Sequence, residues 1–94
     1  MKVIYKYQIG LGFVSEFNIP ATAQILHVAE AIPIGLSNSN LYMWVLLDTN
    51  HAPSKRRFHI MGTGWDIEDN MCFIGTIVTS EKLVWHIFEE VLYE

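Results

Sequence analysis

The chain has 94 residues, 51% of them hydrophobic and only 17% charged, with a formal net charge of -4. That describes a single domain, residues 1–94, with one core, and excludes a polar, highly charged disordered chain. The acidic balance also excludes the electrostatic footprint of a nucleic-acid binder, which concentrates Lys and Arg on one face.

Cys72 is the only cysteine, so no intrachain disulfide forms and nothing points to an oxidising compartment. The opening MKVIYKYQIG interrupts its apolar run at Lys6 and Gln8, which leaves neither a signal-peptide core nor a membrane span. A soluble, cytosolic chain with no membrane partner is expected.

Residues 3–8 alternate as VIYKYQ, a strand pattern with Val3, Tyr5 and Tyr7 on one side. GLG follows at 10–12. Residues 13–19 then place Phe13, Phe17 and Ile19 on one face, so the two segments read as a hairpin. Pro20 ends that pairing, and residues 25–31 resume as an apolar strand closed by Pro33 and Gly35; a short helical turn from Ala21 is the rival. SNSN at 37–40 has the composition of a hairpin tip. LYMWVLLD at 41–48 is apolar on both faces, as expected of a central strand buried from two sides.

DTNHAPS at 48–54 is loop chemistry, and residues 55–61 alternate again, with Phe58 and Ile60 opposite Arg57, His59 and Met61. WDIEDN at 65–70 reads as a loop or a single helical turn. Residues 72–79 and 82–89 form two further strands around a two-residue loop, Ser80 and Glu81. The last segment has helix formers near helical spacing, yet Val84, Trp85, Ile87 and Phe88 suit a pleated surface. The expected fold is all-β, an antiparallel sandwich or small barrel of about seven short strands with at most one short helix.

Chemistry is sparse. FHIMGTGWDI at 58–67 lacks both the Lys-Ser/Thr pair of a phosphate loop and the third glycine of a dinucleotide fingerprint. Gly62 and Gly64 therefore read first as a way out of the strand through positive φ, and second as room for a ligand beside Thr63 and Trp65. The four histidines, at 27, 51, 59 and 86, show no HxH or HxxxH spacing, so no metal is expected. His86 reads as a satisfied core or interface residue. His59 shares a face with Arg57 and could hold an anion or act as a proton donor. The run Lys55, Arg56, Arg57 reads as a solvated strand end, Cys72 as a small buried hydrophobe, and the acids 66, 68, 69, 89, 90 and 94 as solvated charge. No nucleophile elbow or paired-carboxylate motif is present, so the chain reads as not an enzyme and without a cofactor. The excess of aromatic residues suggests a subunit interface, and hence a homo-oligomer.

IYKY at 4–7, LYMWVLLD, RRFHIMGTGW at 56–65, FIGT at 73–76 and LVWHIFE at 83–89 together resemble a family of small uncharacterised bacteriophage proteins along nearly the whole chain. In those proteins a histidine follows GTG. Here Trp65 stands in its place, which removes any role for an imidazole there. The resemblance implies a phage product acting in the host cytoplasm, and supplies no reaction. Three classes of function follow. The first is a non-enzymatic, anti-defence protein that sequesters a small anionic, nucleotide-like host signal, with Arg57, His59, Thr63 and Trp65 as the ligand-binding set. The second is a protein-interaction inhibitor of a host defence protein working through an acidic, aromatic surface; a minor virion component is a third.

Overall fold

The computed structural model describes residues 1–32, 35 and 39–91. Among them the chain forms seven strands and no helix: β1 (Lys2–Ile9), β2 (Val14–Pro20), β3 (Gln24–Ala31), β4 (Asn40–Asp48), β5 (Pro53–Gly62), β6 (Met71–Val78) and β7 (Val84–Glu90). They make two antiparallel sheets, ordered β1-β4-β3 and β2-β5-β7-β6, which stack without closing into a barrel. The all-β expectation holds in its sandwich form.

Period-two alternation sets the core. Met43, Val45 and Leu47 of β4 face Phe58 and Ile60 of β5, Ile77 of β6 and Ile87 of β7, all buried. Removing a side chain of this size from water stabilises a fold by about 1.5–3 kcal/mol. Bulges at Leu26 and Ile74 reset the alternation, so that Ile25 and Val28 both reach the core from β3 and Ile74 packs against it from β6. At Gly75 an added Cβ would lie 2.8 Å from Val28 Cγ2. The missing side chain is what lets β3 and β6, the facing edges of the two sheets, come together.

Several local expectations change. β1 and β2 are not a hairpin: β1 pairs with β4 and β2 with β5, in different sheets. Gly10, at φ 89°, starts an arch over the end of the core, where a Cβ would abut Leu41 and Ile60. A tight turn would keep both strands in one sheet; the arch carries the chain to the other. β4 is central, but its outer face has no second layer among the described residues. Trp44 and Leu46 are half-buried there, and only Tyr42, with the Lys6 ammonium 4.8 Å from its ring centroid, is buried.

β6 and β7 do form a hairpin, yet pairing ends at Val78 and Val84, so five residues rather than two make the loop. Lys82 takes φ 66°, and the Leu83 amide donates to Thr79 Oγ1 at 3.1 Å. The Ala21 segment is a turn, closed by the Ala23 amide on the Pro20 carbonyl at 3.0 Å. β3 and β4 pair as far as Ala31 and Asn40. Pro33 and half of the expected SNSN tip, Ser37 and Asn38, lie outside the described residues, as does the tail at 92–94.

Candidate functional site

Strand parity decides what each candidate residue faces. On β5, Arg57 and His59 point to the outer side of their sheet, while Arg56, Phe58, Ile60 and Gly62 point inward. Cross-strand register then sets Arg57 between Glu16 of β2 and Glu90 of β7. The guanidinium donates to Glu16 Oε2 at 3.0 and 3.1 Å and to Glu90 Oε2 at 2.7 Å. The Arg57 hydrogen bond, then Lys55, hold the Glu16 carboxyl below its ordinary range; Glu16 and then Glu90 raise Arg57 in turn. His59 Nε2 lies 3.3 Å from the second oxygen of Glu90, out of line for a hydrogen bond. Arg57 and His59 are thus brought together, in a row already neutralised by two carboxylates.

Thr63 belongs to a different row. Its Oγ1 lies 2.9 Å from His86 Nε2, and Thr76 Oγ1 lies 3.0 Å from Nδ1 of the same ring. Both ring nitrogens thus have a hydroxyl partner, so His86 is satisfied, on the outer face of the sheet rather than in the core.

Trp65 leaves the outer face altogether. Gly64 takes φ 89°, and the Trp65 amide closes a turn on the Gly62 carbonyl at 3.2 Å. The indole folds back over Gly62, where an added Cβ would fall 2.6 Å from Trp65 Cε2. Because Gly62 points inward, the ring arrives on the core side, against Phe13 at 5.4 Å and Trp85 at 5.9 Å between centroids, both edge to face. The four expected binding residues therefore do not line one pocket. Arg57 and His59 sit on one side of the sheet, and Trp65 on the other.

What Trp65 joins is an aromatic rim. Residues 10–13, Leu41, Ile60 and Trp85 line a cleft of about 190 Å³. Around it Leu11 is 85% exposed, Phe13 59% and Trp65 46%, and Ile67 in the Trp65 loop is 41% exposed. Asp66, Glu68 and Asp69, all exposed, alternate with those apolar residues. Exposed aromatic and apolar groups thus cluster beside this cleft and are fringed with charge.

The opposite end of the sandwich is polar. Arg56 faces inward and is half-buried, where its fork grips both oxygens of Glu89 at 2.6 and 2.7 Å and Nη1 donates to the Pro20 and Ala23 carbonyls at 3.0 and 2.9 Å. It ties β5, β7 and the β2–β3 turn together, and is not the solvated residue that its basic run suggested. Cys72, opposite Glu89 on β6, is exposed rather than buried, because β6 is an edge strand and its inward side opens at this end. Among the described residues no group of three His, Cys, Asp or Glu side chains could hold a metal ion.

Reading the sequence missed the rim because its members come from three distant segments. Phe13, Trp65 and Trp85 meet only through the arch after β1 and the turn after β5. A signal was present: Gly62 lies opposite Trp85 once β5 and β7 are paired, and glycine opposite an aromatic marks a place where another ring can lie. No curated protein and no solved structure matches the chain. A family model does, over residues 1–93, and the chain belongs to that family, a domain of unknown function designated DUF7352.

Proposed function

We propose that the chain is a non-enzymatic protein-interaction module. Its rim of Phe13, Trp65 and Trp85 takes an apolar side chain of a partner protein into the cleft, and Asp66, Glu68 and Asp69 meet basic residues flanking that anchor. The observation that carries this reading is the exposure of Leu11, Phe13, Trp65 and Ile67 around a cleft of about 190 Å³. Aromatic anchors in a desolvated centre supply most of the free energy of such interfaces, and complementary charge at the margin selects the partner. In the setting implied by the resemblance to bacteriophage proteins, the partner is a host defence protein met in the host cytoplasm.

Capture of a nucleotide-like anion is the rival, favoured by the shared face of Arg57 and His59. An anion arriving there meets the Glu16 and Glu90 carboxylates already bound to Arg57, and must displace them. The nearest indole able to stack on a base lies across the sheet.

The test titrates the chain with short peptides bearing one leucyl or aromatic side chain flanked by Lys or Arg, followed by indole fluorescence. Binding is expected to fall about tenfold or more in Trp65→Ala, the scale of an interface anchor worth about 2 kcal/mol. It is expected to vanish for peptides with acidic flanks and to persist in Arg57→Ala. Calorimetric binding of a nucleotide that Arg57→Ala abolishes and Trp65→Ala leaves alone would replace this function with the rival.

A further inference from the structure

An open sandwich leaves two edges on each sheet, where backbone N–H and C=O groups have no strand to meet, and natural chains blunt such edges with bulges, prolines or charge. Three of the four edges here carry a structural device. β3 is bulged at Leu26 and β6 at Ile74, and the two converge at Val28 and Gly75. β2 ends in Pro20. β1 is different. All eight of its residues pair in unbroken register with β4, it contains neither proline nor glycine, and its other side has no strand among the described residues. By parity Tyr5 points inward with Val3 and Tyr7, yet it is 48% exposed, and Ile4 on the outer side is 58% exposed. An inward ring that stays wet marks an open edge.

The geometry points to a second copy of this chain as the occupant of that edge, paired antiparallel along β1 about a two-fold axis through Tyr5. In this register Ile4 faces Lys6 of the second copy, Lys2 faces Gln8, Val3 faces Tyr7, and Tyr5 faces its own counterpart. Every pair keeps inward side chains with inward and outward with outward. The register is also singled out by charge. Sliding one step either way along the same face sets Lys2 against Lys6, or Lys6 against Lys6, and like charges directly opposite are destabilising. The two lysines that guard the edge of a lone chain thus become the groups that fix how two chains align. The two three-stranded sheets join into one continuous sheet, and both aromatic rims remain open at its ends.

Sedimentation equilibrium of the full chain tests this, with Ile4→Glu and Ile4→Lys as paired variants whose fold is checked by circular dichroism. Ile4→Glu places a carboxylate against Lys6, and Ile4→Lys places an ammonium there, twice per dimer. Ile4→Glu is expected to dimerise about tenfold more tightly than Ile4→Lys. Net charge alone gives the reverse order, because the chain is already at -4 and an added lysine lessens its self-repulsion. In a Cys72→Ser background, Tyr5→Cys is expected to crosslink chain to chain on mild oxidation. A chain that stays monomeric at every concentration, an edge that takes only an added foreign strand, or Ile4→Lys dimerising as well as Ile4→Glu would each overturn the assignment.

Discussion

The two ends of the sandwich handle surplus groups in opposite ways. At the polar end Arg56 makes four hydrogen bonds within the chain, two to Glu89 and one each to the Pro20 and Ala23 carbonyls. At the aromatic end Phe13, Trp65 and Trp85 touch one another, and two of the three remain widely exposed. A guanidinium can be satisfied locally by a few oxygens in fixed directions. An apolar ring has no such remedy, since its gain scales with the area removed from water, at about 25 cal/mol per Å². The guanidinium at the polar end is therefore satisfied among the described residues, whereas the rings at the aromatic end keep apolar area in water.

Breaking the polar end should cost most. Arg56→Ala strands the Glu89 carboxylate and two carbonyls, and is expected to lower unfolding free energy by about 2–4 kcal/mol in urea denaturation, below the full cost for a deeply buried pair because both side chains are partly exposed. Peptide affinity at the distant rim is expected to change little. A loss of rim binding equal to that of Trp65→Ala, at temperatures where the variant is folded, would mean the two ends are not independent.

The aromatic end should yield next, to a single methyl group. Gly62→Ala brings a Cβ within 2.6 Å of the Trp65 indole, and the ring must move. Because Trp65 lies at the surface it can swing outward, so the expected loss is about 1–2 kcal/mol, the lower part of the range for overpacking. The signature is a red-shifted indole emission together with weakened peptide binding. Gly64→Ala tests the turn separately: at φ 89° a side chain is strained, with no neighbour for the new methyl to strike.

The contrast between the ends also explains what the sequence could convey. The run LYMWVLLD, apolar on both faces, and the alternation in KRRFHIM identified strands, and the parity separating Arg57 and His59 from Phe58 and Ile60 was legible because it is a local, period-two property. Parity ends where a strand ends. Whether Trp65 followed Arg57 or crossed to the other side depended on the turn through Gly64, and whether β1 and β2 shared a sheet depended on the arch at Gly10, two positive-φ glycines whose effect is on direction rather than pattern. Arg56 and Arg57 show the same limit from another side. Adjacent and identical in type, they differ wholly in role, since one faces the interior and the other the surface row of Glu16 and Glu90.

The smallest expected effects come from carboxylates at the surface, and acid sharpens the comparison between the ends. Glu30, near the aromatic end, accepts the Ser80 amide at 2.9 Å, and that bond, ahead of weaker ones, holds its carboxyl below the ordinary 4.5. Asp48, at the polar end, accepts the Asn50 amide at 2.9 Å and the terminal ammonium at 3.1 Å, which hold it below 3.8. A carboxyl whose folded value lies below its unfolded one adds stability above the unfolded value and loses it as pH falls through the folded one. Thermal midpoints are therefore expected to be level from neutral pH to about 5 and to fall below that, more gently in high salt, which screens the exposed ion pairs. Glu30→Gln and Asp48→Asn should each lower the neutral-pH midpoint slightly and flatten the acid limb. Only the first loosens the β6–β7 loop beside the rim, so only the first should make peptide binding less sensitive to pH between 4 and 5. If Asp48→Asn changed the rim's response equally, the two ends would be linked through β4, and the division between them would not hold.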